Sequence, residues 1–160
     1  MDISLTINGE ECALSVPASR TLLEALRDDM ALTGSKNACN QGVCGSCTVL
    51  IDGVPVNACL VLAVNVTGRD ITTIEGLGEV GELSVVQQAF VDTGAIQCGF
   101  CMSGMIVSAT AFLAENPTPS RDEIRTALSG NLCRCSGYVR VFDAVALAAE
   151  RLGQAGGLSP

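Results

Sequence analysis

The chain contains no histidine among its 160 residues. That removes the side chain most used as a general base near neutral pH and as a metal ligand. No nucleophile with an activating base beside it can be read anywhere along the sequence, so substrate chemistry is not expected to reside in this chain. Aromatic residues make up 3% and charged residues 16% of the sequence, which leaves the core to be built from Leu, Val, Ile and Ala. Positive charge is scarce. Nine Lys and Arg face 17 Asp and Glu for a formal net charge of -8, and the deficit runs through both halves. No nucleic-acid partner is therefore expected. Long apolar runs are missing too: Gly, Ser, Thr or a charge interrupts every stretch before it reaches the roughly 18 residues of a membrane span. No secretory signal is read at the start, so the expected compartment is the cytoplasm, with periplasmic co-export alongside a signal-bearing partner as the alternative.

What the chain does have is apolar residues, 48% of the total, and nine cysteines. So apolar a chain of this size implies that part of its surface is covered by a permanent protein partner. Eight of the cysteines form two quartets: Cys39, Cys44, Cys47 and Cys59, then Cys98, Cys101, Cys133 and Cys135. The first reads C-x4-C-x2-C with a fourth cysteine further on, the plant-type spacing for a 2Fe-2S cluster. Gly42 and Gly45 lie inside this loop, where tight wrapping needs positive φ and close backbone approach. The second quartet pairs C-x2-C with C-x-C across thirty-one residues. By spacing alone it suits iron-sulfur or a structural four-cysteine zinc site. A disulfide framework is disfavoured, because cysteines one or two residues apart make awkward partners. Without histidine a Rieske centre is excluded. Cys12, outside both quartets, has no cation beside it in sequence to lower its pKa and reads as an inert small residue on a strand.

The pattern along the chain predicts an α+β protein in two parts. Ile3, Leu5 and Ile7 alternate with polar residues, Asn8-Gly9 is a favoured hairpin turn, and Leu14 and Val16 resume the alternation. Thr21 and Glu24 form a capping box for one amphipathic helix through Leu22, Leu23, Leu26 and Met30, ending near Gly34. A second hairpin is expected from Thr48–Ile51 and 54–59 about Asp52-Gly53, and a closing strand over 71–74. Together these make a β-grasp, ferredoxin-like domain over residues 1–76. From 77 the strand signals stop, and 77–160 is expected to be an all-α four-helix bundle. Its helices are capped by Ser84/Gln87 and Ser120/Glu123, one runs 102–115, and the last presents Val139, Phe142, Val145, Ala149 and Leu152 on one face. Residues 153–160 are expected to fray.

The strings Leu32-Thr-Gly-Ser-Lys-Asn-Ala-Cys39, Cys44-Gly-Ser-Cys-Thr-Val-Leu-Ile-Asp-Gly53, Ile96-Gln-Cys-Gly-Phe-Cys101 and Leu128-Ser-Gly-Asn-Leu-Cys-Arg-Cys-Ser-Gly-Tyr138 together resemble the small iron-sulfur subunit of the molybdenum hydroxylases, the xanthine dehydrogenase and aldehyde oxidase family. The resemblance covers nearly the whole chain. It implies one 2Fe-2S cluster on Cys39, Cys44, Cys47 and Cys59 and another on Cys98, Cys101, Cys133 and Cys135. It also implies a large partner subunit carrying molybdopterin and a medium subunit carrying FAD. By the same resemblance Gln97 corresponds to a glutamine that hydrogen-bonds the pterin, and Cys135 to the ligand lying beside it; as a bare residue Gln97 reads as a loop amide satisfied by backbone. Arg134, between two ligands, reads either as a solvated arginine or as a shield for cluster charge. Three departures from the family pattern stand out. Ala38 replaces the usual glycine, Ser46 replaces alanine, and Met102-Ser103 replaces Thr-Pro, where Ser103 is expected to cap the following helix in place of the proline.

The implied function is electron transfer within a heterooligomeric oxidoreductase. The partner would hydroxylate an N-heteroaromatic compound, a purine or an aldehyde, and electrons would leave singly through the two clusters to FAD or another acceptor. The rivals are a free-standing double-cluster ferredoxin and a zinc-stapled interaction module.

Overall fold

The computed structural model of the protein describes residues 1–79 and 81–155. β1 (Asp2–Ile7) and β2 (Glu10–Ser15) pair antiparallel about Asn8 and Gly9, both at positive φ, 51° and 84°. Such a turn matches the natural twist of the two strands. Ile3, Leu5 and Ile7 are buried, as their alternation predicts.

Thr21 and Glu24 close the expected capping box, but the helix is shorter than its apolar pattern suggests. α1 (Leu22–Glu24) passes into a single π-helical stretch, Ala25–Asp29. Leu22, Leu23 and Leu26 are buried while Met30 is only partly so, and Arg20 braces the end through two bonds to Asp29 (2.8 and 3.0 Å).

β3 (Thr48–Ile51) and β4 (Val54–Asn57) form the second hairpin, with Asp52 and Gly53 at positive φ. β4 stops at Asn57, and Cys59 lies in the 3-10 turn Ala58–Leu60 rather than on the strand. β5 (Asp70–Thr72) runs parallel to β1 and antiparallel to β3, giving a mixed five-stranded sheet of order β2-β1-β5-β3-β4. The last strand to be made therefore occupies the centre.

Four longer helices follow: α2 (Val85–Asp92), α3 (Met102–Glu115), α4 (Arg121–Ala127) and α5 (Val139–Gln154). The capping boxes at Ser84/Gln87 and Ser120/Glu123 are both formed. α3 is buried nearly all round because it is wedged between two cores, packing on α2 and α4 on one side and on β3 and β4 on the other; a helix so placed carries no polar face. Its start departs from expectation, since Ser103 caps nothing. The cap residue is Cys101, without a side-chain bond, and the Ser103 hydroxyl is buried inside the first turn.

The buried face of α5 is Val141, Ala144, Val145, Ala148, Ala149 and Leu152, while Val139 is 59% exposed. Of the expected stripe, Val145, Ala149 and Leu152 are buried and Phe142 is half-buried against the core; Val139 alone departs, as the first residue of the helix directly after the left-handed Tyr138 (φ 67°). α5 reaches Gln154, two residues into the stretch expected to fray, and residues 156–160 of that stretch lie outside the described residues. Among the described residues no helix is long and apolar enough to cross a membrane.

Candidate metal centres

The first three cysteines lie on the loop entering β3, and the fourth on the turn leaving β4. Asn40, Gly42 and Gly45 hold positive φ along that loop. A side chain on Gly42 would run into Leu60. The wrap turns backbone amides toward sulfur: Gln41 N-H donates to Cys39 Sγ (3.4 Å). The amides of Gln41, Cys44 and Val43 together hold the Cys39 thiol down to about 6, whereas burial beside Cys59 pushes Cys47 up to about 12. The Cys39 thiol is hydrogen-bonded with that of Cys44, and the Cys47 thiol with that of Cys59. A cavity of about 220 Å³ lined by Leu23, Asn37 and Asn40 opens beside Cys59.

The second quartet sits on two helix connections, Cys98 and Cys101 before α3 and Cys133 and Cys135 before α5. Cys98 and Cys135 are exposed with their sulfurs 3.7 Å apart; Cys101 is buried and meets Cys133. Burial raises Cys101 to about 12. Burial also pushes on Cys133, but the hydroxyl and amide of Ser136, with the Cys135 amide and the Cys101 thiol, outweigh it and hold Cys133 down to about 7. Cys135 is raised by its neighbour Cys98.

Each quartet is thus two pairs. Two sulfurs on one tetrahedral metal with bonds of about 2.3 Å lie about 3.8 Å apart, close to the 3.7 Å between Cys98 and Cys135. Among the described residues no point gathers three or more such donors around a single ion. A mononuclear zinc site requires four donors on one atom, whereas a two-iron cluster takes two per iron, so the donor set fits 2Fe-2S. Two buried hydroxyls, Ser35 and Ser103, have no partner among the described residues.

The two loops touch. Leu132 N-H donates to the Cys44 carbonyl (2.9 Å), and Asn131 Nδ2 donates to the Gly45 carbonyl (3.1 Å) from a site only 5% exposed. Gly104 of α3 presses on that same Gly45 carbonyl, leaving no room for a side chain. Gln97 is exposed and makes none of the hydrogen bonds found among the described residues. Close by in sequence, Ile96 and Phe100 on its own connection and Leu132 and Val139 on that of Cys135 are exposed apolar residues, and the Cys98 and Cys135 sulfurs join the two connections. Arg134 is exposed and forms none of the ion pairs found among the described residues. Cys12 is half-buried on β2, apart from both quartets.

Asn131, Ser136 and Tyr138 shape the site without having been singled out from sequence. Tyr138 Oη accepts from Cys133 N-H (2.9 Å), and its ring stacks on Phe142. Their signal was membership of the Leu128–Tyr138 string, which by itself assigns no role.

Two family models divide the chain: a 2Fe-2S iron-sulfur cluster binding domain matches residues 5–70, and a [2Fe-2S] binding domain matches residues 73–146. The nicotinate dehydrogenase small FeS subunit of Eubacterium barkeri is 46% identical over 149 residues, 93% of this chain and 95% of that protein. The nicotine 6-hydroxylase small subunit of Paenarthrobacter nicotinovorans is 46% identical over 98% of this chain and 94% of its own length. The crystal structure of quinoline 2-oxidoreductase from Pseudomonas putida 86 contains a chain that superimposes with a TM-score of 0.94 at 49% identity, covering 99% of this chain and 98% of that one.

Proposed function

The chain belongs to the small iron-sulfur subunits of the molybdenum hydroxylases, and from that premise we propose how its residues carry out electron transfer. Cys39, Cys44, Cys47 and Cys59 hold the first 2Fe-2S cluster; Cys98, Cys101, Cys133 and Cys135 hold the second. Each cluster supplies a site that accepts and releases one electron. Residues 1–76 form the ferredoxin-like β-grasp unit and 77–160 the four-helix unit, and the abutting matches of the two cluster-binding families support that division.

Within this reading the chain's residues position and insulate. The β3 and β4 turns and the α2–α3 and α4–α5 connections hold the sulfurs in pairs. The Leu132 to Cys44 bond keeps the two loops in register. Gln97 and Cys135 face a molybdopterin-bearing large subunit, which covers the exposed apolar side chains of Ile96, Phe100, Leu132 and Val139. Held by their cysteines, the two clusters would supply one-electron sites through which electrons from the partner's hydroxylation of an N-heteroaromatic compound, a purine or an aldehyde could pass, the second cluster nearer the large subunit and the first nearer a medium FAD-bearing subunit or another acceptor. These exposed apolar residues argue against a free-standing ferredoxin, which would keep such positions polar.

The observation that carries the reading is two cysteine quartets, each resolved into pairs, on loops bonded to each other. Purification of the chain with its companions from the host tests it. About four irons per chain, two distinct EPR signals after dithionite, and molybdenum in the companion are expected. A colourless chain holding zinc, or one with about two irons, would refute it.

A further inference from the structure

Among the described residues, one side-chain hydroxyl donates to a cysteine of either quartet. Ser136 Oγ lies 3.2 Å from Cys133 Sγ, and the Ser136 amide lies 3.3 Å from the same sulfur. The hydroxyl does not rotate freely. Its oxygen accepts the Tyr138 N-H (3.2 Å), which occupies a lone pair and leaves the proton directed at sulfur. Tyr138 is in turn fixed, since its phenol oxygen accepts the Cys133 N-H (2.9 Å) and its ring stacks on Phe142 at 6.2 Å. Three bonds thus close a ring, Cys133 N-H to Tyr138 Oη, Tyr138 N-H to Ser136 Oγ, and Ser136 O-H to Cys133 Sγ. The left-handed Tyr138 (φ 67°) is the bend that permits it. In the first quartet Cys39 Sγ is met by backbone amides and, among the described residues, by no hydroxyl.

We propose that Ser136 is a positioning residue that acts through Cys133 to raise the reduction potential of the second cluster. The inference rests on the function proposed above. A donor aimed at a ligand sulfur stabilises the state with more negative charge, which is the reduced one. One electron enters, from dithionite in the test. No bond to hydrogen breaks, and Ser136 keeps its proton throughout.

EPR-monitored dithionite titration of the intact complex reads the two clusters separately. With Ser136→Ala one signal keeps its midpoint. The other is expected to show a roughly tenfold lower ratio of reduced to oxidised cluster at fixed potential, equal to about 59 mV for a one-electron couple. Ser136→Thr retains a hydroxyl and should titrate with the parent. If the Ala variant titrates like the parent, or if Thr does not restore what Ala removes, the inference is overturned. Should Ala cost the protein its cluster, the parent and the Thr variant decide the matter in D2O: a fast-exchanging deuteron coupled to one signal is expected in both, and its absence from both overturns the assignment. A parent complex with a single EPR signal would instead bring down the function proposed above, a failure distinct from an unmoved midpoint.

Discussion

Three of the four sulfurs in the first quartet come from one loop, Cys39 to Cys47, while the second quartet draws on two helix connections that only packing brings together. The first centre is accordingly built from backbone, with positive φ at Asn40, Gly42 and Gly45 and amides turned inward. The second is built from side chains: Tyr138 and Ser136 perform the holding and donating that the tight loop performs for the first. A local loop can shape a site by its own dihedrals. A site assembled across distance needs side chains to finish it.

Losing a sulfur should expose the difference most strongly. Cys133→Ser is expected to remove about half the iron, roughly two atoms per chain, and to lower helical content, because Cys133 ties the α4–α5 connection to the start of α3. Cys39→Ser should remove the same amount of iron and leave the helices intact. Iron analysis with circular dichroism reads both, and equal helix loss in the two variants would break the comparison.

The apo chain offers a chemical ranking next. At pH 7, alkylation followed by mass spectrometry is expected to mark Cys39 and Cys133 well before Cys47 and Cys101, because thiols near 6 and 7 are largely or partly ionised while those near 12 are not. The sign for stability follows from the same shifts. Cys47 and Cys101 are raised above the ordinary thiol value of 9.0, so the stability of the apo chain that depends on keeping them neutral is present below that pH. It should fall as pH climbs from there toward about 12. A flat melting temperature across that window would count against the burial assigned to both.

Packing between the two centres should come next in size. Gly104→Ala places a methyl against the Gly45 carbonyl and is expected to cost about 1–3 kcal/mol as overpacking, seen as a lower melting temperature with both clusters retained. Asn131→Ala should cost least, about 1 kcal/mol for one buried hydrogen bond, because Thr48 still donates to the same carbonyl (2.7 Å). If Asn131→Ala proved as costly as Gly104→Ala, the link between the loops would be carried by the amide rather than by close backbone contact.

Much of the scaffold was legible locally. The capping boxes at Thr21, Ser84 and Ser120, the turns at Asn8-Gly9 and Asp52-Gly53, and α3 over Met102–Glu115 all formed as their residues indicate. Errors arose where a tertiary contact overrode a local rule. Ser103 was expected to cap, but α3 wedges between two cores and buries it. Val139 was expected in the core, but as the first residue of α5, directly after the left-handed Tyr138, it lies exposed while the rest of its stripe packs inward. Within the site, cysteine identity and grouping were legible from spacing, whereas the roles of Asn131, Ser136 and Tyr138 depend on partners that spacing does not name.

By itself the sequence determined where the turns and caps fall and that strands give way to helices in the second half of the chain, because each is set by contacts among residues a few positions apart. Only the tertiary structure decided that β5 enters the middle of the sheet, which cysteines pair, and that Asn131 reaches Gly45 across 86 positions of chain. Those outcomes follow from which apolar faces bury one another, and burial rewards total area removed from water without regard to distance along the chain.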